Sequence, residues 1–158
     1  MAHIKTNAMR ILDKEKIPYT MHTYDHSNGA VDGVSVAHAL GQDEAHVFKT
    51  LVTRSSGGGY FVFVIPVAKE LNLKAAAKAV GEKSVEMIPV KDINRVTGYI
   101  RGGCSPIGMK KAYRTVIDQS CEQLETMIFS GGKIGFQIEL APQALISLIS
   151  ASTAELTA

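Results

Sequence analysis

The stretch "HVFKTLVTR", residues 46–54, decides how this chain is read. Alternation along a β-strand puts Val47, Lys49 and Leu51 on one face and Phe48, Thr50 and Val52 on the other, so both faces are apolar and one carries a lysine. "SSGGG" at 55–59 reads as the hairpin loop that follows. "YFVFVIP" at 60–66 reads as the returning strand, apolar on both faces as a central strand is. A lysine in such a hairpin can lay its alkyl stem on apolar surface and return its ammonium to water. Alternatively it stands at the mouth of a cleft, where it holds a carboxylate or phosphate or stabilises a developing negative charge.

Outward from the hairpin, helices and short strands mix. Ile4, Ala8, Ile11, Leu12 and Glu15 fall at helical spacing, and Pro18 marks the exit into a strand, "YTMHTY" at 19–24. A short helix is expected at "SVAHALG", 35–41, closed by Gly41. "NLKAAAKAVG", 72–81, predicts a helix with Asn72 as its cap and Gly81 as its stop. A strand near 84–87 and a polar helix near 90–96 come next. Three strand-like runs follow, "AYRTVID", "TMIFS" and "FQIEL", and then a helix from Pro142 to Ile149. The pattern favours an α+β fold, one domain with a mixed, curved or barrel-like sheet and helices outside it. A doubly wound parallel sheet is the alternative, but no strand leads into a Gly-rich phosphate loop of the Rossmann or P-loop type.

Composition narrows the class of protein. The 158 residues are 46% hydrophobic and 20% charged with a net charge of +2, and the longest apolar run, nine residues of "YFVFVIPVA", falls far short of a membrane span. A soluble, cytoplasmic protein is expected, since charges interrupt the N-terminal segment and leave no secretory h-region. Cys104 and Cys121 form no C-x-x-C pair, which predicts reduced thiols. Basic residues gather locally: Arg101, Lys110, Lys111 and Arg114 lie in a stretch without a carboxylate, able to face phosphates or simply to be a solvated surface.

Two glycine loops are the other candidates for chemistry. "GYIRGGCSPIGMKK", 98–111, pairs Gly102 with Gly103, which lets backbone approach a ligand and point amides at an oxyanion, while Ser105 and Pro106 fix the turn that follows. "SGGKIG", 130–135, offers Ser130 as a hydrogen-bond donor and Lys133 as a phosphate contact, although a type I′ or II′ hairpin turn explains its glycines equally well. Cys104 invites a nucleophile hypothesis, yet a nucleophilic thiol needs a base or a strongly positive setting, and a small buried thiol is the simpler reading. His22, Tyr24 and His26 share a face if the first strand runs that far, but no third metal ligand is visible. No nucleophile elbow and no zinc-protease motif is present.

Taken in order, "HTYDH" at 22–26, "FKTL" at 48–51, "LNLKAAAKAVG" at 71–81, "VEM" at 85–87, "TGYIRGGCSPIGMKK" at 97–111 and "SGGKIGFQIELAP" at 130–142 closely resemble the YbaK family of free-standing aminoacyl-tRNA editing proteins. The likeness runs from about Lys5 to Ile149. It implies a compact α+β fold related to the insertion domain of prolyl-tRNA synthetases. It also implies hydrolysis of cysteine mischarged onto proline tRNA, action beside prolyl-tRNA synthetase, and no metal or other cofactor. By the same resemblance Lys49 is the essential site residue with Thr50 beside it. Tyr24 and Ser130 match residues of the family's pocket, and Gly102 and Gly103 match its glycine loop; beside these, Ser105, Pro106 and Gly131 are expected at the substrate, and the basic residues Arg101, Lys110, Lys111 and Lys133 are candidates to meet the tRNA. In this family the substrate's own thiol is thought to attack its ester, so the protein has to orient and stabilise without supplying a nucleophile. The family often has an aliphatic residue where Cys104 stands, and "SNGAVDGVSVAHALG" lacks an acidic stretch found in some relatives. Two other readings compete: an editor of Ala-tRNA or another mischarged species, and a non-catalytic module that holds tRNA or a synthetase.

Overall fold

The computed structural model describes residues 5–25 and 32–158, and His26 lies outside them. The expected hairpin is present as β2 (Phe48–Ser55) and β3 (Tyr60–Pro66), antiparallel in the register Lys49 to Ile65 and Leu51 to Phe63. Its loop closes through Ser55 N–H to the Gly59 carbonyl at 2.8 Å, while the Ser55 hydroxyl accepts the Gly59 N–H at 3.1 Å. Gly58 takes a φ of 96°, which a side chain would resist.

Around the hairpin the elements run α1 (Asn7–Lys14), β1 (Thr20–Thr23), α2 (Gly33–Ala39), then, after β3, α3 (Leu73–Ala79), β4 (Val85–Met87), α4 (Ile93–Thr97), β5 (Arg114–Asp118), β6 (Met127–Ser130), β7 (Phe136–Leu140), α5 (Pro142–Ile149) and β8 (Ser152–Ala154). Local chemistry explains the ends. Thr6, Asp32 and Asn72 cap α1, α2 and α3 by accepting backbone N–H groups, and the Asn72 carbonyl oxygen takes those of both Lys74 and Ala75. Pro142 starts α5, and Gly98 closes α4 in the left-handed region.

Strands assemble into two sheets. The larger has the order β4-β2-β3-β5-β8, with the doubly apolar β3 at its centre and β5 and β8 paired in parallel; the smaller has the order β1-β7-β6. The sheet is therefore mixed, as the sequence suggests, but it does not close into a barrel. Among the described residues the two sheets join only at a parallel bridge between Val47 and Ile128, where β2 leaves one sheet and meets the edge of the other. Beyond that bridge the two diverge, because β4 takes up the same edge of β2 only at Thr53–Ser55.

Both faces of the large sheet are covered. Phe48, Val64 and Ile117 meet Met9 and Leu12 of α1, Leu145 of α5, and Phe129 and Ile138 of the small sheet. On the other side Phe63, Ile65 and Val116 pack against Ala76, Ala77 and Val80 of α3. A smaller cluster of Ala37, Val47, Val67 and Ile128 seats α2 on the junction of the sheets. A Cβ at Gly33 would fall 2.4 Å from Val67 Cγ1, so only glycine lets α2 start this close. Strand β8, which the sequence reading does not include, is held by Asp118: its buried carboxylate accepts the Leu156 N–H at 3.0 Å and the Ser120 N–H at 3.2 Å.

Tyr99 ties the glycine-rich connections together. Its hydroxyl donates to the Ile107 carbonyl at 2.5 Å, and its ring lies 3.2 Å from where a Cβ of Gly132 would stand. Burial pushes this phenol up to about 12, so it stays protonated and remains a donor. The 131–135 connection spans five residues between β6 and β7, longer than the two-residue turn its glycines suggest. It is stabilised by Gly131 N–H to Phe136 O at 2.8 Å and Phe136 N–H to Lys133 O at 3.1 Å.

Two stability predictions follow from this packing. Phe63→Ala empties a fully buried site between the large sheet and α3 and is expected to cost about 3–5 kcal/mol, read as a lower denaturation midpoint with unchanged slope. Tyr99→Phe removes one hydrogen bond from a half-buried carbonyl and is expected to cost about 1 kcal/mol by the same measurement.

Candidate active site

The divergence of the two sheets opens a cavity of about 520 Å3. Strand β2 brings Val47, Phe48, Lys49 and Thr50 to it, the small sheet brings Phe129, Ser130, Phe136 and Gln137, and α2 brings Asp32, Gly33 and Val36. Tyr24, Val67 and the loop residues Arg101, Gly102 and Cys104 complete the lining. The wall mixes apolar side chains with polar and charged ones in nearly equal measure, Asp32, Lys49, Arg101, Ser130 and Gln137 among the latter.

Lys49 lies half-buried in this wall, and among the described residues it has neither an ion pair nor a hydrogen bond. The apolar neighbours that make its position odd in sequence are the cavity's own lining and the strand beneath it. Thr50 is stranger still. Its Oγ1 is buried and has no hydrogen-bond partner among the described residues, a condition that costs about 1–3 kcal/mol for a neutral group. Both residues line the cavity, but neighbours on a strand point to opposite faces, so the half-buried lysine and the buried hydroxyl stand on different sides of β2.

The remaining residues singled out from sequence divide into two groups. Tyr24, Arg101, Gly102 and Ser130 line the cavity. Tyr24 is anchored by its N–H to the Gly135 carbonyl at 3.0 Å, and the Ser130 hydroxyl accepts the Gly132 N–H at 3.2 Å. Gly103, Ser105, Pro106 and Gly131 are buried behind that lining and shape the loops. A Cβ at Gly103 would stand 3.2 Å from Ile134 N and 3.3 Å from Lys133 Cα, so the two glycine loops touch backbone to backbone. The Gly103 N–H is committed to the Ile100 carbonyl at 3.0 Å, whereas Gly102, at a φ of 85°, has no such backbone bond among the described residues. Ser105 accepts the Ile107 N–H at 3.3 Å from a fully buried hydroxyl. Lys110, Lys111 and Lys133 are exposed outside the cavity. Arg114 is taken up elsewhere, donating to the Ala79 and Val80 carbonyls at the end of α3.

Electrostatics assign the cysteine. Burial pushes the Cys104 thiol up to about 11, with a hydrogen bond to Thr97 opposing the shift, so at pH 7 only about one thiol in ten thousand is ionised. It lines the cavity as a small apolar group. His22 is engaged by Glu139, with Nε2 2.7 Å from Oε1, and hydrogen bonds from Thr126 and then His22 hold the Glu139 carboxyl below the usual range. Asp32 is likewise lowered, chiefly by the Ser35 N–H at 2.8 Å.

Several lining residues carry no signal in the sequence. Gln137 reads as a strand residue in "FQIEL", yet its side chain is buried at the cavity. It is paired with Gln42 through Gln42 Nε2 to Gln137 Oε1 at 2.8 Å and Gln137 Nε2 to Gln42 Oε1 at 3.3 Å. That reciprocal amide pair fastens the turn after α2 to β7. Phe129, Phe136 and Val67 read equally well as plain core. Only the position of Gly33 just before a helix hints at a close approach.

Comparison with known proteins places this site in a family. The sequence model of the aminoacyl-tRNA editing domain matches residues 28–148. A protein of Enterococcus faecalis named as a candidate Cys-tRNA(Pro)/Cys-tRNA(Cys) deacylase, EbsC, is 48% identical over 153 residues, covering 97% of this chain and 93% of its own. Among solved structures, the hypothetical protein APE2540 superposes with a TM-score of 0.85 at 21% identity over 94% of this chain and 97% of its own. A candidate trans-editing enzyme for prolyl tRNA synthetase superposes with a TM-score of 0.81 at 20% identity over 97% and 98%. At those identities the structures speak for the fold. With the family match spanning most of its length and a relative 48% identical throughout, the chain belongs to the aminoacyl-tRNA editing domain family.

Proposed function

We propose that this protein is a trans-acting deacylase that releases cysteine from mischarged Cys-tRNA(Pro). The observation that carries the proposal is a half-buried Lys49, with no ion pair among the described residues, in the wall of the cavity, on a chain 48% identical to a protein named for Cys-tRNA deacylation. A partner role for prolyl-tRNA synthetase, which charges the tRNA concerned, belongs to the same reading.

The chemistry fits a site without a nucleophile of its own. The substrate thiol loses its proton and its sulfur attacks the ester carbonyl, giving a tetrahedral oxyanion. Collapse breaks the bond to the ribose oxygen, which takes up a proton as the tRNA leaves, and the cysteine thiolactone then reacts with water. Such a path asks the protein to hold the aminoacyl end in a reactive conformation and to stabilise one negative charge. Lys49 supplies a cation for the oxyanion or for the phosphate that positions the ester. The Gly102 amide is the loop donor left for the oxyanion, since that of Gly103 closes a turn.

This mechanism also sorts substrates. A pocket distinguishes amino acids that differ by one methylene by only about 1–3 kcal/mol, but alanine and proline have no thiol with which to react.

Release of labelled amino acid from Cys-tRNA(Pro), Ala-tRNA(Pro) and Pro-tRNA(Pro) tests the proposal. Cysteine-selective release is expected, and Lys49→Ala should lower it by about 100-fold or more, the scale for loss of a group that stabilises an oxyanion. Release of alanine instead would move the protein to a different editing specificity, and no release from any of the three would overturn the reading. Cys104→Ala should keep activity within about threefold of wild type, because a thiol ionised so little at neutral pH is a poor nucleophile. Abolished activity in a folded Cys104→Ala protein would instead point to a covalent enzyme intermediate.

A further inference from the structure

Resting on that reading, we infer that the acceptor arm of the tRNA leaves the cavity over the wall made by the two glycine loops, where Arg101, Lys110, Lys111 and Lys133 form a phosphate-binding face. A cavity of about 520 Å3 holds an aminoacyl ester and its terminal nucleoside, and the polyanion attached to it has to cross one of the walls. The walls differ in charge. The segment around α2 presents Asp32 at the lining and the exposed or half-exposed carboxylates of Asp43 and Glu44 just beyond the helix. The two loops themselves carry none, since no carboxylate occurs from Gly98 to Ile117 or from Thr126 to Ile138, and exposed Asp25, next to Tyr24 on the Gly135 carbonyl, is the acidic residue beside them.

Packing gathers the cations of that wall. Arg101 is exposed at the cavity rim. The contact of Gly103 with the Lys133 and Ile134 backbone brings Lys133 next to that rim, although 32 positions separate Arg101 from Lys133 in sequence. Lys110 lies along the other end of the same loop, its Cγ 3.2 Å from where a Cβ of Gly98 would stand and its Nζ donating to the Arg95 carbonyl at 3.3 Å. Lys111 follows it, exposed. Tyr99, bonded to Ile107 and packed on Gly132, holds these connections as one body.

None of the four has an ion pair among the described residues, whereas Lys5 is paired with Asp13 and Arg95 with Asp92. A cation without an ion pair meets phosphate without breaking a salt bridge, Lys110 giving up at most its long bond to the Arg95 carbonyl, and each phosphate neutralised releases a counterion. Recognition of this kind is indifferent to sequence and steep in salt.

The test compares wild type with the triple variant Lys110→Gln, Lys111→Gln, Lys133→Gln, which leaves the cavity lining untouched. Two substrates are used, Cys-tRNA(Pro) and the cysteinyl ester of adenosine, which has no phosphate. Binding of uncharged tRNA is measured alongside, between about 50 and 200 mM salt. The variant should keep wild-type kcat/KM on the adenosine ester. On tRNA the slope of log affinity against log salt should flatten by about one per lysine removed, roughly two to three in all. An unchanged slope, or an equal loss on both substrates, overturns the phosphate face. If wild type binds tRNA with a slope that the variant flattens yet hydrolyses neither substrate, the deacylase reading falls and the face stands. Hydrolysis by wild type with no change of slope in the variant leaves the deacylase and removes the face.

Discussion

Everything at the site depends on one strand serving two sheets. Val47 bridges Ile128 of the small sheet, its carbonyl accepts the Val67 N–H at 2.8 Å, and from Phe48 onward the chain is paired with β3. Because β4 occupies the other edge of β2 only from Thr53, residues 48–51 have a strand on one side alone. Right-handed twist separates two sheets that are tied at a single point, and the gap grows along that edge. The side of the gap that the central hairpin lines is apolar by necessity, since the same side chains must satisfy the core behind them. That is why Lys49 stands between valine and leucine. Its strand belongs to the core, while its position on the strand belongs to the gap.

The same constraint explains the glycines. To close one end of the gap, two loops from distant parts of the sequence must meet, and Gly103 lies against the Lys133 and Ile134 backbone at a distance no Cβ would tolerate without displacement. Gly102 takes a φ of 85°, and Gly132 and Gly135 take 96° and 99°. Side chains at these positions would add backbone strain and push the loops apart. The glycine pairs are thus first a packing requirement. The place of Gly102 in the cavity wall is a consequence of that packing.

Sequence patterning reveals most of the fold, and its failures have physical causes. The hairpin, the cap at Asn72, the stop at Gly81 and the helix from Pro142 rest on local chemistry, and each is where that chemistry puts it. Strand β8 escapes because "STA" has no apolar alternation; it exists through parallel pairing with β5 and the Asp118 clasp on Leu156, contacts 38 positions apart. Division of the sheet escapes because nothing in one strand reports that its edge partner changes partway along. At the site, Lys49 is legible as a violation of its surroundings, whereas Gln137, Phe129 and Val67 obey every rule for a buried strand. Their part in the cavity is set by tertiary placement alone. Lys110, Lys111 and Lys133 show the converse. Their charge is plain in sequence, but the loop contact on which the proposed phosphate face depends, Gly103 against Lys133, is not.

The composition of the cavity bears on the kind of catalyst it can be. A hydrolase that attacks with its own side chain needs a nucleophile and a base within reach of each other, and burial has left the one thiol here protonated at neutral pH. What the strand does offer is a half-buried lysine in the wall and a buried hydroxyl with no hydrogen-bond partner among the described residues. Groups left unsatisfied in the ground state lower stability, and they favour whatever arrives to satisfy them. On the proposed reading such a site binds the reacting end in one geometry, stabilises the charge that forms and leaves the attack to the substrate. Discrimination then moves out of the pocket's dimensions and into the substrate's own reactivity. A cavity large enough for a terminal nucleoside and open along one charged wall can therefore remain selective without fitting the amino acid tightly.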